Sequence, residues 1–307
     1  MTRGTTDRHR RGSTGWELRE IERPERAGDL VGDVSLVVTD LDGTLWGSST
    51  VVHDRTIIAL EALRERAVPV LAATGRTWRS ARRLLERNDL ELPLVALDGA
   101  VCLEVDGSVF HRVTFSPPDA LGVLRALSES ELAPIVHVDS PSADSAAEPG
   151  AALLAAQEAF YGERLLRFPL DLLVQREPVQ QFIAYGPRER LENAARGAAP
   201  HGHCTINSNA LFGGTALTVD PFGATKWQGV ERFCEIHGID QQRVLAVGNG
   251  ENDVDLLEHA HVACVVRDGA EEALAVATHV IDSPDAGGWA AVLDLLQSAG
   301  SEGRPRR

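Results

Sequence analysis

The chain has 307 residues, of which 43% are hydrophobic and 24% charged, and its formal net charge is −15. This composition is typical of a globular protein and is long enough for one large domain or two moderate ones. The acidic excess argues against a general binder of nucleic acids or of anionic membranes, since both surfaces would repel it. Lysine occurs once among the 30 basic residues, as Lys226, which reflects either drift or chemistry that needs a compact ammonium charge.

The ends of the chain are polar, and we expect disordered tails over residues 1–32 and 299–307. The sequence contains no run of about 20 apolar residues, so no membrane span is predicted. The four cysteines form no C-x-x-C pair, which favours reduced thiols. We therefore expect a cytoplasmic protein that binds no membrane and no nucleic acid. The sequence leaves open whether it is a monomer or a homodimer.

From residue 34 onwards, predicted strands alternate with predicted helices. Apolar runs predict strands, and apolar residues at helical spacing predict helices, in the order strand 34–39, helix 54–67, strand 68–73, helix 77–88 and strand 94–97. The alternation returns after Pro221 and continues to residue 296. This order indicates an α/β fold, a Rossmann-like parallel sheet with helical crossovers, formed by residues 33–100 and 222–298.

The segment between these two parts, residues 101–221, has a different pattern. Asp106-Gly107 lies between two short apolar runs, which is a strong signal for a β-hairpin. A helix is predicted at 121–132, and a loop rich in Ser, Pro, Ala and Glu at 140–150. Further strands are predicted at 134–138, 180–185 and 215–219. We therefore predict an inserted α+β domain over 101–221.

Polar residues gather where the predicted strands of the sheet end. Asp40 and Asp42 follow one strand, Thr74 follows the next, and Asn249 and Asp253 follow another, while Lys226 begins a helix beside them. Each could be an ordinary turn or helix-capping residue. Ligands bind outside the carboxyl ends of the strands in such sheets, so the convergence of all of them favours a binding site.

These residue types suit phosphoryl transfer from a monoester. The reaction needs a carboxylate nucleophile, a second acid for the leaving oxygen and positive groups around the phosphoryl oxygens. Asp40 and Asp42 supply the carboxylates, Gly43 allows close approach of the backbone, Thr74 offers a hydroxyl and Lys226 a charge. The acids would repel a phosphate dianion unless a divalent cation were bound. Hard oxygen donors suited to Mg²⁺ are present in Asp40, Asn249 and Asp253.

Over residues 34–298, the chain resembles the haloacid dehalogenase-like phosphatases. Their four signature motifs are matched in order by Asp40-Leu-Asp42-Gly43-Thr44-Leu45, Thr74-Gly75-Arg76, Lys226 and Gly248-Asn249-Gly250-Glu251-Asn252-Asp253. The insertion between the second and third motifs resembles the type IIB cap of the Cof-like, sucrose-phosphate and mannosyl-3-phosphoglycerate phosphatases. The resemblance therefore implies a HAD-like core with a cap that closes over the site and selects the substrate.

The resemblance also implies roles. Asp40 would be the nucleophile that forms an aspartyl-phosphate, and Asp42 the general acid and then the base. The implied phosphate-binding residues are Gly43, Thr74, Gly75, Arg76, Lys226 and Asn252. The implied Mg²⁺ ligands are Asp40, the backbone carbonyl of Asp42, Asn249 and Asp253.

Two positions depart from the family pattern, and the roles of several other residues are undecided. Asn249 stands where an Asp is common, and Asp98 where an Asn is frequent. Three tryptophans adjoin the motifs, and we favour core packing over an aromatic substrate wall for Trp46, Trp78 and Trp227. Arg79 is either an anion contact or a solvated residue. Candidate substrate contacts in the cap are His137, Arg176 and Gln181.

The leading hypothesis is a Mg²⁺-dependent phosphatase for a small phosphorylated metabolite, such as a sugar phosphate. One alternative is a phosphomutase of the same superfamily. The other is a non-catalytic module that binds a ligand or carries a phospho-aspartate, as receiver domains of signalling proteins do. Receivers are about 120 residues long without a large insertion, and their acceptor Asp follows the third strand, which argues against that alternative.

Overall fold

The computed structural model describes residues 19–20, 34–140, 143–208 and 212–298. Its strands are β1 (Arg19–Glu20), β2 (Leu36–Thr39), β3 (Val70–Ala73), β4 (Leu94–Ala96), β5 (Val101–Leu103), β6 (Val109–Arg112), β7 (Ile135–Val138), β8 (Ser145–Ala147), β9 (Leu165–Arg167), β10 (Val179–Tyr185), β11 (His203–Ser208), β12 (Thr215–Asp220), β13 (Val244–Gly248), β14 (Val262–Val266) and β15 (His279–Ile281). Its α-helices are α1 (Asp54–Glu65), α2 (Trp78–Arg87), α3 (Pro117–Glu129), α4 (Ala155–Tyr161), α5 (Leu170–Leu173), α6 (Arg188–Ala198), α7 (Lys226–His237), α8 (Val254–His259), α9 (Glu271–Val276) and α10 (Ala291–Ser298).

The first sheet has nine strands in the order β1-β15-β14-β13-β2-β3-β4-β5-β6, and the run from β15 to β4 is parallel. Its central strands are buried on both faces, so their sequences are continuously apolar. Val37 and Leu245 pack towards α1, α2 and α10, while Leu36 and Ala246 pack towards α7, α8 and α9. The predicted α/β fold with a parallel core sheet is confirmed.

The predicted hairpin around Asp106-Gly107 forms, but it belongs to this first sheet. Strand β5 pairs antiparallel with β4, and β6 pairs antiparallel with β5. A tight turn at Leu97–Gly99 reverses the chain directly after β4, so β5 returns alongside the strand it has just left. This corrects the expectation that residues 101–112 are part of the inserted domain.

The second sheet has six strands in the order β11-β12-β10-β7-β8-β9. Because side chains alternate along a strand, Phe182 and Ala184 of β10 pack against α3 and α6, whereas Gln181 and Tyr185 face the opposite side. Strand β8 pairs with β7 inside the segment expected to be a loop at 140–150. Small side chains at Ser145–Ala147, all buried, allow this close pairing.

The predicted tails lie mostly outside the described residues. The exception is β1, which pairs antiparallel with β15 and so departs from the disorder expected over 1–32. Within the described part of the chain, no helix is long and apolar enough to cross a membrane.

Candidate active site

The parallel order of β13, β2, β3 and β4 brings their carboxyl ends to one edge of the sheet. The residues that follow them are Asn249, Asp40, Thr74 and Asp98, and all four line one cavity of about 910 Å³. The open face of the second sheet forms the opposite wall. The convergence predicted at this edge is therefore observed, in the position where α/β sheets bind ligands.

Lys226 lies beneath the cavity floor in a buried ion-pair network. It is 1% exposed, and its Nζ lies 2.8 Å from Asp40 Oδ1 and 2.6 Å from Asp253 Oδ1. Burial alone would lower the pKa of Lys226, but Asp253, Asp40 and Asp98 together raise it. The side chain is therefore held as an ammonium ion between two carboxylates.

Asp40 lies at the cavity floor and is short of positive charge. Burial is the largest cause that raises its pKa, to about 8, and Asp253 and Asp42 add to the effect against the opposing attraction of Lys226. One ammonium ion shared between two acids does not balance this group of carboxylates. A divalent cation next to Asp40 would offset the burial of its charge.

Asp253 was predicted to be a metal ligand, and both of its carboxylate oxygens have partners within the protein. Its Oδ1 accepts from Lys226, and its Oδ2 accepts from the backbone N–H groups of Asn249 and Gly250, both at 2.8 Å. It is fully buried and does not line the cavity. Asp253 therefore positions Lys226 and the loop after β13.

Asn249 is the residue of this loop that does face the cavity. Its Oδ1 accepts a 2.9 Å hydrogen bond from the Thr44 hydroxyl, which fixes the amide. Gly43 has φ +77°, and a Cβ there would lie 2.5 Å from Asn249 Nδ2, so the close approach requires glycine. No group of three or more His, Cys, Asp or Glu suited to a metal occurs among the described residues. Asp40 and Asn249, which follow the neighbouring strands β2 and β13, bring a carboxylate and an amide to the cavity.

Asp42 and Arg76 form a bidentate ion pair at the cavity wall. Arg76 Nη2 donates to Asp42 Oδ1 at 2.7 Å and its Nε to the other oxygen, while its Nη1 donates to Ser80. Trp46 Nε1 also donates to Asp42 Oδ1, at 3.1 Å. Arg76 was predicted to bind phosphate, but in this arrangement its charge is directed at Asp42. Arg76 and Trp46 therefore fix the orientation of the second carboxylate.

The remaining predicted phosphate contacts lie beside Asp98. Thr74 Oγ1 accepts from the Arg76 N–H, which shapes the loop that contains Gly75. Asn252 Nδ2 donates to Asp98 Oδ1 at 2.8 Å, and Gln181 Nε2 of the second sheet donates to Asp98 Oδ2 at 3.3 Å. Asp98 is buried, and burial raises its pKa. It therefore joins the two sheets across the cavity.

Two of the three candidate contacts in the cap line the cavity. His137 and Gln181 do so, and Arg176 does not. Burial lowers the pKa of His137 to about 4, so the ring is neutral, and its Nδ1 is 2.9 Å from Ser145 Oγ. Gln181 Nε2 also donates to Asp220 Oδ1, at 2.8 Å. Asp220 was not predicted from the sequence, although it follows cavity-lining Ala216 and Thr218 in the alternation of residues along β12.

An aromatic wall does exist, but it is formed by other residues than the tryptophans. Trp46 and Trp227 are buried, Trp78 packs against the core, and none of them lines the cavity. Core packing, the interpretation favoured from the sequence, is confirmed for all three. Arg79 lies 4.2 Å from the Trp78 ring centroid and pairs with Asp144. The rings at the cavity are Phe160, Tyr161, Tyr185 and Phe212.

A parallel sheet with two carboxylates after its central strand, a buried lysine beside them and an inserted α+β cap is an arrangement suited to phosphoryl transfer. The chain belongs to the haloacid dehalogenase-like hydrolases, whose family model matches residues 37–293. The family predicted from the motifs is thereby confirmed.

Similar proteins point the same way. A phosphoglycolate phosphatase of Methanopyrus kandleri is 28% identical over 264 residues, which cover 85% of this chain and 97% of that protein. Among solved structures, a phosphatase of the same superfamily from Bacteroides thetaiotaomicron matches with a TM-score of 0.69 at 21% identity, over 91% of this chain and 98% of that one. A subclass IIB sugar phosphatase matches with a TM-score of 0.70 at 20% identity, over 85% and 98%. The relatives named here are phosphatases, and the structures share the fold.

Proposed function

We propose that this protein is a Mg²⁺-dependent phosphatase that hydrolyses a small phosphorylated metabolite through an aspartyl-phosphate. The observation that carries the proposal is the set of Asp40, Asp42 and Lys226 at one end of one cavity. Asp40 faces the cavity while Lys226 holds it from below, and Asp42 is fixed beside it by Arg76 and Trp46. A substrate phosphoryl group placed above Asp40 meets both carboxylates.

The reaction then takes two displacements. An oxygen of Asp40 attacks phosphorus, the bond from phosphorus to the leaving oxygen breaks, and protonated Asp42 donates its proton to that oxygen. Asp42, now a carboxylate, takes a proton from a water molecule that attacks the same phosphorus. The acyl phosphate bond breaks, inorganic phosphate leaves and the Asp40 carboxylate is restored.

The residues present fit a bound Mg²⁺. Asp40 and Asn249 would hold it through a carboxylate and an amide oxygen, with water filling the other positions, as Mg²⁺ prefers. When bound, the ion would neutralise phosphoryl oxygens and the nucleophile. Lys226 favours the ionised form of Asp40 and orients it from the opposite side, and Asp253 holds Lys226 in place.

The direct test measures phosphate release from p-nitrophenyl phosphate and a panel of metabolite monoesters, with and without Mg²⁺. We expect Asp40→Asn to lower kcat by about 10³-fold or more, because the amide cannot act as the nucleophile. Asp171→Asn makes the same change at an exposed position that does not line the cavity, so it serves as the matched control and should keep full activity. Full activity of Asp40→Asn, or no hydrolysis of any ester, would refute the proposal. Conversion of one ester into its isomer without phosphate release would indicate a mutase.

A further inference from the structure

The wall of the cavity opposite Asp40 is aromatic, in a chain with only 5% aromatic residues. Both tyrosines of the chain, Tyr161 and Tyr185, are in it, together with Phe160 and Phe212. Phe212 makes edge contacts with Phe160 and Tyr185, with centroids 5.5 and 5.7 Å apart. The four rings are half-buried, so each packs against its neighbours and leaves part of its surface at the cavity. We call these four residues the ring wall.

Polar groups next to the ring wall suit hydroxyl groups rather than charges. Asn207 and Thr218 line the cavity, with Asn207 Nδ2 donating to Thr218 Oγ1 at 3.2 Å. His137 borders Tyr161, with centroids 5.8 Å apart, and is neutral. Amide, hydroxyl and imidazole groups exchange hydrogen bonds with an uncharged alcohol without bringing a formal charge.

The cavity offers little for an anionic leaving group. Among the described residues that line it, the one Lys or Arg is Arg76, and its guanidinium is paired with Asp42. The acidic residues that line it are Asp40, Asp42, Asp98, Glu251 and Asp268. A carboxylate on the substrate would lose its hydration next to these acids with no cation to replace it.

We propose, on the basis of the phosphatase function above, that the ring wall binds a leaving group that is uncharged and contains a flat ring. The side chains of the ring wall bury the flat ring of the leaving group through stacked and edge-to-face contacts. The neighbouring amide and hydroxyl groups form hydrogen bonds with the hydroxyls of the leaving group. The same wall discriminates against small phosphorylated acids, because it has no positively charged group to balance the charge of a carboxylate. Phosphoglycolate, the substrate in the name of the Methanopyrus kandleri relative, belongs to the disfavoured class.

The cavity size agrees with this assignment. At about 910 Å³ it is at the upper end of the range for sites that enclose a drug-sized ligand. A two-carbon acid phosphate would occupy only the end near Asp40 and leave the ring wall in contact with water. A phosphorylated alcohol with a ring system is larger and would fill more of the cavity.

The test compares three probes: riboflavin 5′-phosphate with a flat ring system, glucose 6-phosphate with hydroxyls and no aromatic ring, and phosphoglycolate with a carboxylate. We expect kcat/KM to be highest for the ring ester and about 100-fold lower for phosphoglycolate. Phe212→Leu should lower kcat/KM for the ring ester about tenfold and change that for glucose 6-phosphate less than twofold. Phe168→Leu is the matched control, since Phe168 is half-buried in the cap but packs against its core and does not line the cavity.

Binding of unphosphorylated riboflavin, followed by quenching of its fluorescence, tests the ring wall without catalysis. Quenching by the wild type that Phe212→Leu weakens and Phe168→Leu does not supports the ring wall, even if no ester is hydrolysed and the phosphatase proposal fails. Hydrolysis of phosphoglycolate at least as efficient as that of the ring ester, or no binding of riboflavin by an active enzyme, would overturn the ring-wall proposal and leave the phosphatase function intact.

Discussion

The two ends of the cavity are built from different chemistry. At the core end, Asp40, Lys226 and Asp253 form a buried ionic network whose geometry is fixed by hydrogen bonds. At the cap end, half-buried rings meet in edge contacts around a neutral histidine. The core end is suited to one charged group in one position, whereas the cap end offers surface that other side chains could replace. The phosphate chemistry and the substrate choice that we propose thus fall to separate parts of the chain.

Residue types that the sequence uses rarely are concentrated at these two ends. The single lysine is at the core end, and both tyrosines are at the cap end. Lys226 is also the first residue of α7, where the helix dipole disfavours a cation. The carboxylates of Asp40 and Asp253 outweigh that cost. A lysine retained in an electrostatically poor position of its own helix indicates a function beyond local structure.

Removal of the charge at Lys226 should have the largest effect on stability, because it breaks the buried ionic network that distinguishes the core end from the cap end. We expect Lys226→Met to lower the free energy of unfolding by about 3–5 kcal/mol, because it leaves two buried carboxylates without their cation. Urea denaturation followed by circular dichroism measures this. Arg232→Met, at an exposed position later in α7, is the control and should change stability by less than about 0.5 kcal/mol.

Lys226→Arg separates charge from shape at the same position. The guanidinium keeps the positive charge but is larger and planar, and the site is fully enclosed. We expect kcat to fall about 100-fold or more while the protein still folds. A fully active Lys226→Arg variant would show that the position requires only a charge and that its compact ammonium has no special role.

The core end could be largely predicted from the sequence, and the reason is local. Asp40, Thr74 and Asn249 each follow a short apolar strand, and parallel strands place such residues at one edge whatever their exact register. What could not be predicted is which atoms each side chain engages. Asp253 and Asn249 both contain oxygen donors four residues apart, and only the fold shows that one is enclosed below the floor while the other faces the cavity.

The cap end could be predicted less well because its wall is assembled from distant segments. Tyr161 comes from α4, Tyr185 from β10 and Phe212 from the connection between β11 and β12. Helix α4 was not predicted, and the pairing of β10 with β12 depends on long-range register. A signal was nevertheless available in the alternation of Gln181, Ile183 and Tyr185 with buried Phe182 and Ala184. Residues on the open face of a sheet that are not uniformly polar indicate a covered or ligand-binding surface.

Asn249→Asp should make the core end of the cavity more anionic. The new carboxylate keeps the acceptor for Thr44 and adds a charge beside Asp40. We expect the Mg²⁺ concentration for half-maximal activity to fall about tenfold, since ligand charge sets the affinity for such ions. Calorimetric titration of Mg²⁺ gives the same comparison without turnover.

Asn193→Asp adds the same charge at an exposed position of α6 and should leave both values unchanged. Equal Mg²⁺ affinity of wild type and Asn249→Asp would argue against Asn249 as a ligand.

The smallest expected effect concerns the junction between the two ends, where Gln181 bridges Asp98 and Asp220. Burial raises the pKa of Asp220 well above its ordinary value, and Asp98 adds to the increase. A raised pKa means that the folded state binds more protons than the unfolded state, so stability falls as pH rises from the ordinary carboxyl pKa through the raised one.

Asp220→Asn removes this loss and keeps an acceptor for Gln181. We expect the variant to gain about 1 kcal/mol at alkaline pH and to show a weaker decrease of stability as the pH rises above the ordinary carboxyl pKa, measured by urea denaturation. Asp171→Asn, at an exposed position of the same domain, should follow the wild-type curve. A parallel pH dependence in Asp220→Asn and wild type would mean that Asp220 stays ionised at the junction, and that Gln181 alone holds the two carboxylates together.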